Sequence, residues 1–143
     1  MKNKKTVFLI DNNAIDIFIT ERLLEKYSDS VKLFTFSNSS DALNLINKSK
    51  ISPHYILLSI GYPATEHLAF LEGFEKLKIE KDKISIHVLS TLVLLSDIEK
   101  LKSGYRQIEH IEKPLSIQKL QSIFENDIPK LGFMENNNKA VSC

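Results

Sequence analysis

The residues able to do chemistry lie just beyond short apolar runs: Asp11-Asn12 after Thr6 to Ile10, Ser59 after Tyr55 to Leu58, and Ser90-Thr91 after Ile84 to Leu89. His110 and Lys113-Pro114 fall at the end of a fourth such run, beginning at Ile108. An acid, an amide, hydroxyls, an imidazole and an ammonium group gathered together could hold a cation or an anion. They could also set Ser59 as nucleophile, His110 as base and Asp11 as the acid that orients it. Against that last possibility, Ser59 lacks the G-x-S-x-G elbow, and no oxyanion hole or substrate pocket can be read. The four histidines, at 54, 67, 87 and 110, lack metal-ligand spacing.

The elements that must position these residues alternate along the chain. Thr6 to Ile10 and Tyr55 to Leu58 are continuous apolar runs, as strands covered on both faces require. Val31 to Phe36 alternates with polar residues and suits an edge strand. Ile84 to Leu89 and Ile108 to Ile111 complete five strands. Between them, Asn12 and Asn13 offer caps for a first helix whose Ile15, Phe18, Ile19, Leu23 and Tyr27 form one expected buried stripe. Ser39 and Ser40 can cap a second helix, and a third follows Pro63 with Phe70, Leu71, Phe74 and Leu77 on one side. Ser96 to Gly104 reads as a short helix with a capping box, and Ser116 caps the last. Strict alternation implies a parallel sheet with helices on both faces. The expected fold is therefore a flavodoxin-like (βα)5 doubly wound sandwich with strand order 2-1-3-4-5. Its polar strand ends then meet at one sheet edge.

Composition bounds the rest. At 143 residues there is room for one domain, expected over residues 4–128, with 129–143 a flexible polar tail. Nineteen basic and eighteen acidic residues leave +1, so no global attraction to nucleic acid or membrane is expected. Cys143 is the sole cysteine, and no apolar run is long enough for a signal peptide or a bilayer span. The cytoplasm is the expected compartment.

In order and spacing, residues 4–128 resemble a response-regulator receiver domain. Ile10-Asp11-Asn12-Asn13 resembles the family's acidic turn, Leu57 to Pro63 its phosphorylation segment, Ser90 its hydroxyl residue, and Glu112-Lys113-Pro114 its lysine-proline pair. The resemblance implies a phosphoryl switch at positions 59, 90, 110 and 113, and a Mg²⁺ site at Asp11, Asn12 and Gly61. The departures lie in that machinery. Ser59 stands where the family has its phosphoaccepting aspartate, Asn12 for the second acid, His110 for the aromatic switch, and His54 for an acid. Lys113-Pro114 matches a pair that is usually cis in the family.

Mg²⁺ needs carboxylate oxygens to offset its loss of water. Of three carboxylates and a lysine, Asp11 and Lys113 remain, so no cofactor is expected and the metal site should be weak or empty. Asp11 and Asn12 serve equally as caps of the first helix. Ser59 reads as a small polar filler, Ser90 as a donor to loop backbone, and Lys113 as a permanent partner of Asp11. The expected function is that of a regulatory module without enzymatic activity, in two-component or phosphorelay signalling. It would contact a histidine kinase, phosphotransfer protein or effector through Ser96 to Phe124, without aspartyl phosphorylation. A switch with a non-standard acceptor and a serine hydrolase stand as alternatives.

Overall fold

The computed structural model describes residues 4–49, 51–59, 65–90, 108–125 and 127–131. The apolar runs form five parallel strands, β1 (Lys5–Ile10), β2 (Val31–Phe36), β3 (Tyr55–Ser59), β4 (Ser85–Ser90) and β5 (Ile108–Glu112), in the order β2-β1-β3-β4-β5. Among the described residues there are four helices, α1 (Ala14–Tyr27), α2 (Ser39–Ser49), α3 (Thr65–Lys76) and α4 (Ile117–Phe124). The expected strand order and doubly wound plan hold. The capping-box segment Ser96 to Gly104 lies outside the described residues, as do Gly61, Pro63 and residues 132–143.

Side-chain alternation along the strands builds two cores. On one face Phe8, Ile10, Ile56, Leu58, Ile86 and Val88 pack with Ala42 and Ile46 of α2 and with Phe70, Leu71 and Phe74 of α3. On the other, Val7, Leu9, Tyr55, Leu57 and Leu89 pack with Leu24 and Tyr27 of α1 and with Leu120, Ile123 and Phe124 of α4. All five residues of β3 are buried, which is why that strand carries no alternation in its sequence. Gly73 has a packing reason. A Cβ there would sit 2.6 Å from Leu43 Cδ1, so the missing side chain lets α3 approach α2.

Two local expectations need correction. The buried stripe of α1 is Thr20, Leu24 and Tyr27, with Ile17 and Leu23 half-buried. Ile15, Phe18 and Ile19 face outward, 70%, 59% and 48% exposed. Ile17, Thr20, Leu24 and Tyr27 also recur at helical spacing, so this helix carries two apolar stripes and the sheet covers only one. The cap of α2 is Asn38, not Ser39 or Ser40. Its Oδ1 accepts from the Asp41 amide at 2.9 Å, and its Nδ2 donates to the Asp41 carboxylate at 3.1 Å. A side chain just before the first helical residue can meet the unpaired amides; Ser39 is already inside the helix.

The chain beyond α4 is tied back to the sheet. Ile128 is fully buried, Tyr27 Oη donates to its carbonyl at 3.2 Å, and the Leu131 amide donates to Tyr27 O at 2.6 Å. Tyr55 Oη donates to Asp127 Oδ2 at 2.7 Å, and Lys5 Nζ lies 3.2 Å from Asp127 Oδ1. The Tyr55 hydrogen bond, with Lys5 beside it, holds the Asp127 carboxyl below its ordinary value. Burial and the same carboxylate push the Tyr55 hydroxyl up.

A carboxyl depressed in the folded state adds stability above its ordinary value, near pH 4, and loses it as pH falls through the folded value. Acid denaturation of Tyr55→Phe should therefore show a shallower loss of stability below about pH 4 than the parent. Equal slopes in urea melts taken at a series of pH values would contradict this. Glu125, which ends α4, sits at φ 50 and ψ −119, a conformation that glycine adopts freely and other residues resist. Glu125→Gly should raise the folding free energy by about 1 kcal/mol, read as a higher urea midpoint at unchanged slope.

Candidate functional site

The polar residues singled out in the sequence stand where the sheet order reverses, at the carboxyl ends of β1, β3, β4 and β5. Asp11, Ser59 and Ser90 are buried, Lys113 is half-buried and Asn12 is exposed. The edge is pinned by backbone bonds, Asp11 N to Phe36 O at 2.9 Å and Lys113 N to Ser90 O at 2.8 Å. Lys119 holds the β5–α4 connection, donating to Glu112 O at 2.6 Å and Pro114 O at 2.8 Å. The Lys113-Pro114 bond is cis.

At the centre is Lys113. Its ammonium donates to Ser59 Oγ at 2.5 Å and to Asp16 Oδ2 at 3.2 Å. The expected partner, Asp11, is engaged elsewhere: its Oδ1 accepts from the Asn13 amide at 2.9 Å, which folds the turn entering α1. Asn13 then caps α1 by accepting from the amides of Ile15 and Asp16. The cap expected of Asp11 and Asn12 thus falls to Asn13, one turn residue later, while Asp11 shapes the turn before it. Asp16 is the acid in the first turn of α1, near that helix's positive end. The first turn of α1 rises beside the ends of β3 and β5, and that carries its carboxylate to Lys113.

Ser90 Oγ lies 3.0 Å from His110 Nε2, so the positions matching the family's hydroxyl and aromatic residues are hydrogen-bonded to each other. The trio Ser59, His110 and Asp11 is not assembled as a nucleophilic triad: His110 meets Ser90, Asp11 meets the Asn13 amide, and Ser59 accepts from Lys113. A lysine that donates to the serine and pairs with a carboxylate is not placed as its base. His54, also a departure from the family pattern, lies at the far end of β3. Its Nδ1 accepts from the Thr6 amide at 3.0 Å, and burial lowers its pKa.

No family model matches the sequence, and no curated protein does. The fold has many solved counterparts. A two-component response regulator from Cytophaga hutchinsonii superposes with a TM-score of 0.73 at 19% identity, covering 87% of this chain and 96% of that one. A response-regulator receiver protein from Dyadobacter fermentans gives 0.70 at 25% identity, covering 87% and 98%. A CheY-like receiver domain from Methylobacillus flagellatus gives 0.70 at 18%, covering 86% and 98%. The chain therefore has the flavodoxin-like fold of response-regulator receiver domains.

The two bonds of Lys113 should differ in weight. Asp16 is 40% exposed in its side chain, so that ion pair is screened and worth well under about 1 kcal/mol. Ser59 is buried, and its hydroxyl would be left without the lysine's proton, at a cost of about 1–2 kcal/mol. Urea unfolding should accordingly rank Lys113→Met as clearly more destabilising than Asp16→Asn. Equal losses would place the weight of the contact on the carboxylate instead.

Proposed function

We propose that this chain is a receiver-type regulatory module of two-component or phosphorelay signalling that works through protein contacts in the cytoplasm, without aspartyl phosphorylation and without enzymatic activity. The observation that carries this reading is the Lys113 ammonium, hydrogen-bonded to Ser59 and paired with Asp16. In the phosphorylated family this lysine neutralises an incoming phosphoryl group on an aspartate. Here a hydroxyl at that position and a carboxylate from α1 supply its partners within the chain.

The donor set argues in the same direction for Mg²⁺. Ser59 is neutral, Asn12 offers an exposed amide, Asp11 Oδ1 is held by the Asn13 amide, and Asp16 is taken by Lys113. A hard dication that needs several carboxylate oxygens is poorly served by one partly committed acid beside an ammonium group. We therefore assign the module no metal cofactor. The Ser90–His110 hydrogen bond supports the same view, because the two switch positions serve as partners for each other.

Output by contact needs a surface. We assign the partner, a histidine kinase, phosphotransfer protein or effector, to the region Ser96 to Phe124, of which 108–124 is described. The outward Ile15, Phe18 and Ile19 of α1 add an apolar patch on the same side of the sheet as α4, of the kind that marks protein contact. No helix among the described residues is long and apolar enough to cross a membrane.

The test is incubation with Mg²⁺ and a small-molecule phosphodonor, followed by intact mass and hydroxylamine treatment. The expected result is an unchanged mass, with partner capture by Ser59→Ala equal to that by the parent. A hydroxylamine-labile adduct would establish an acyl phosphate and overturn the reading. A resistant adduct lost in Ser59→Ala would instead make the serine a true acceptor.

A further inference from the structure

A second polar cluster lies at the opposite edge of the sheet, around the starts of β3, β4 and β5, where the receiver site plays no part. Tyr55, His87, Glu109, Phe124, Glu125 and Asp127 are among the residues lining a cleft of about 490 Å³ between these strands and the end of α4. That volume is in the range of small-molecule sites, and the lining carries three carboxylates. Among the described residues, the cation paired with them is Lys5, at Asp127.

His87 supplies the independent observation. It is 4% exposed, and its Nδ1 is a buried atom with no hydrogen-bond partner among the described residues. The nearest acid, Glu109 Oε2, is 3.7 Å away, too far to bond it. Burial lowers the pKa of the ring, while Glu109 and Glu125 pull the other way. Nδ1 makes no bond to the Glu109 carboxylate, and with the ring proton on Nε2 its lone pair would face that carboxylate as a second acceptor. A buried acceptor without a donor gives up the hydrogen bond it would make in water.

We propose that this cleft binds a small organic cation, whose protonated amine or guanidinium group donates to both His87 Nδ1 and Glu109 while Glu125 and Asp127 supply further negative charge. The chemistry follows from the gap. Two acceptors 3.7 Å apart are bridged by a single group with several N–H donors. A positive charge there is favoured by the carboxylates, and the rings of Tyr55 and Phe124, packed edge to face at 4.9 Å, give its carbon skeleton an apolar wall. Glu109 is largely exposed and can turn toward a ligand without disturbing the core.

The experiment follows the ring signals of His87 by NMR in the isotope-labelled full chain. It is titrated separately with agmatine and with a blocked Ala-Arg-Ala peptide. Saturable shifts confined to cleft residues are expected. Response to agmatine alone would assign a free small amine, and response to the peptide a side chain of another protein. Affinity should fall about tenfold or more in Glu109→Gln, and also in Glu125→Gly, which removes a carboxylate while relieving the backbone. Glu72→Gln, on the exposed side of α3, should leave it unchanged. A linear, non-saturating response to both probes would mean that water alone bridges the two acceptors, and would overturn the proposal. So would unchanged affinity in Glu109→Gln, or displacement of both probes by Zn²⁺ at lower concentration.

Discussion

Both faces of the central strands are covered by helices, and most of this molecule follows from that one constraint. A residue in the middle of β1, β3 or β4 has no solvent on either side, so nearly every such position is apolar. Polar groups are excluded from strand interiors and collect at strand ends. In a parallel sheet those ends form two edges, each gathering residues from distant parts of the chain. The Lys113 cluster occupies one edge, and the His87 and Asp127 cluster the other. His87 is the exception within β4, a buried ring with a nitrogen unbonded among the described residues, and it stands out because its neighbours obey the constraint.

At the carboxyl edge, one ammonium group organises the electrostatics. Lys113 meets a hydroxyl, Ser59, and a single paired carboxylate, Asp16. The ion pair is partly exposed and contributes little to folding. Its consequence is local: the lysine's donors are directed to partners within the chain. The bond between Ser90 and His110 has the same character, a direct contact between the ends of β4 and β5. Exposed apolar side chains on α1 lie beside this edge, so a contact partner would meet a surface whose electrostatics is already set.

Legibility in the sequence tracked the range of the interaction. The strand runs, the cap at Asn13 and the cap at Ser116 depend on neighbours a few residues away, and each was readable. The stripe of α1 was not, because Ile15, Phe18 and Ile19 and the alternative Ile17, Thr20, Leu24 and Tyr27 both satisfy helical spacing. Periodicity says that one face is buried; it does not say which, when two qualify. Asn38 and Ser39 are both good caps by residue type, and one residue of offset in the helix start decides between them.

By itself the sequence determined the five-stranded doubly wound plan, the presence of a serine rather than a carboxylate at position 59, and the gathering of Asp11, Ser59, Ser90 and Lys113 at one edge. These are properties of local pattern and residue type. Only the tertiary structure decided that Lys113 meets Ser59, 54 residues away, and Asp16, 97 residues away, while Asp11 turns back to its own loop. It alone placed the His87 ring 3.7 Å from Glu109, with Nδ1 unbonded among the described residues. The physical reason is that the reach and direction of a side chain depend on how helices and strands are docked. Docking is set by the burial of whole faces, which no single stretch of sequence encodes.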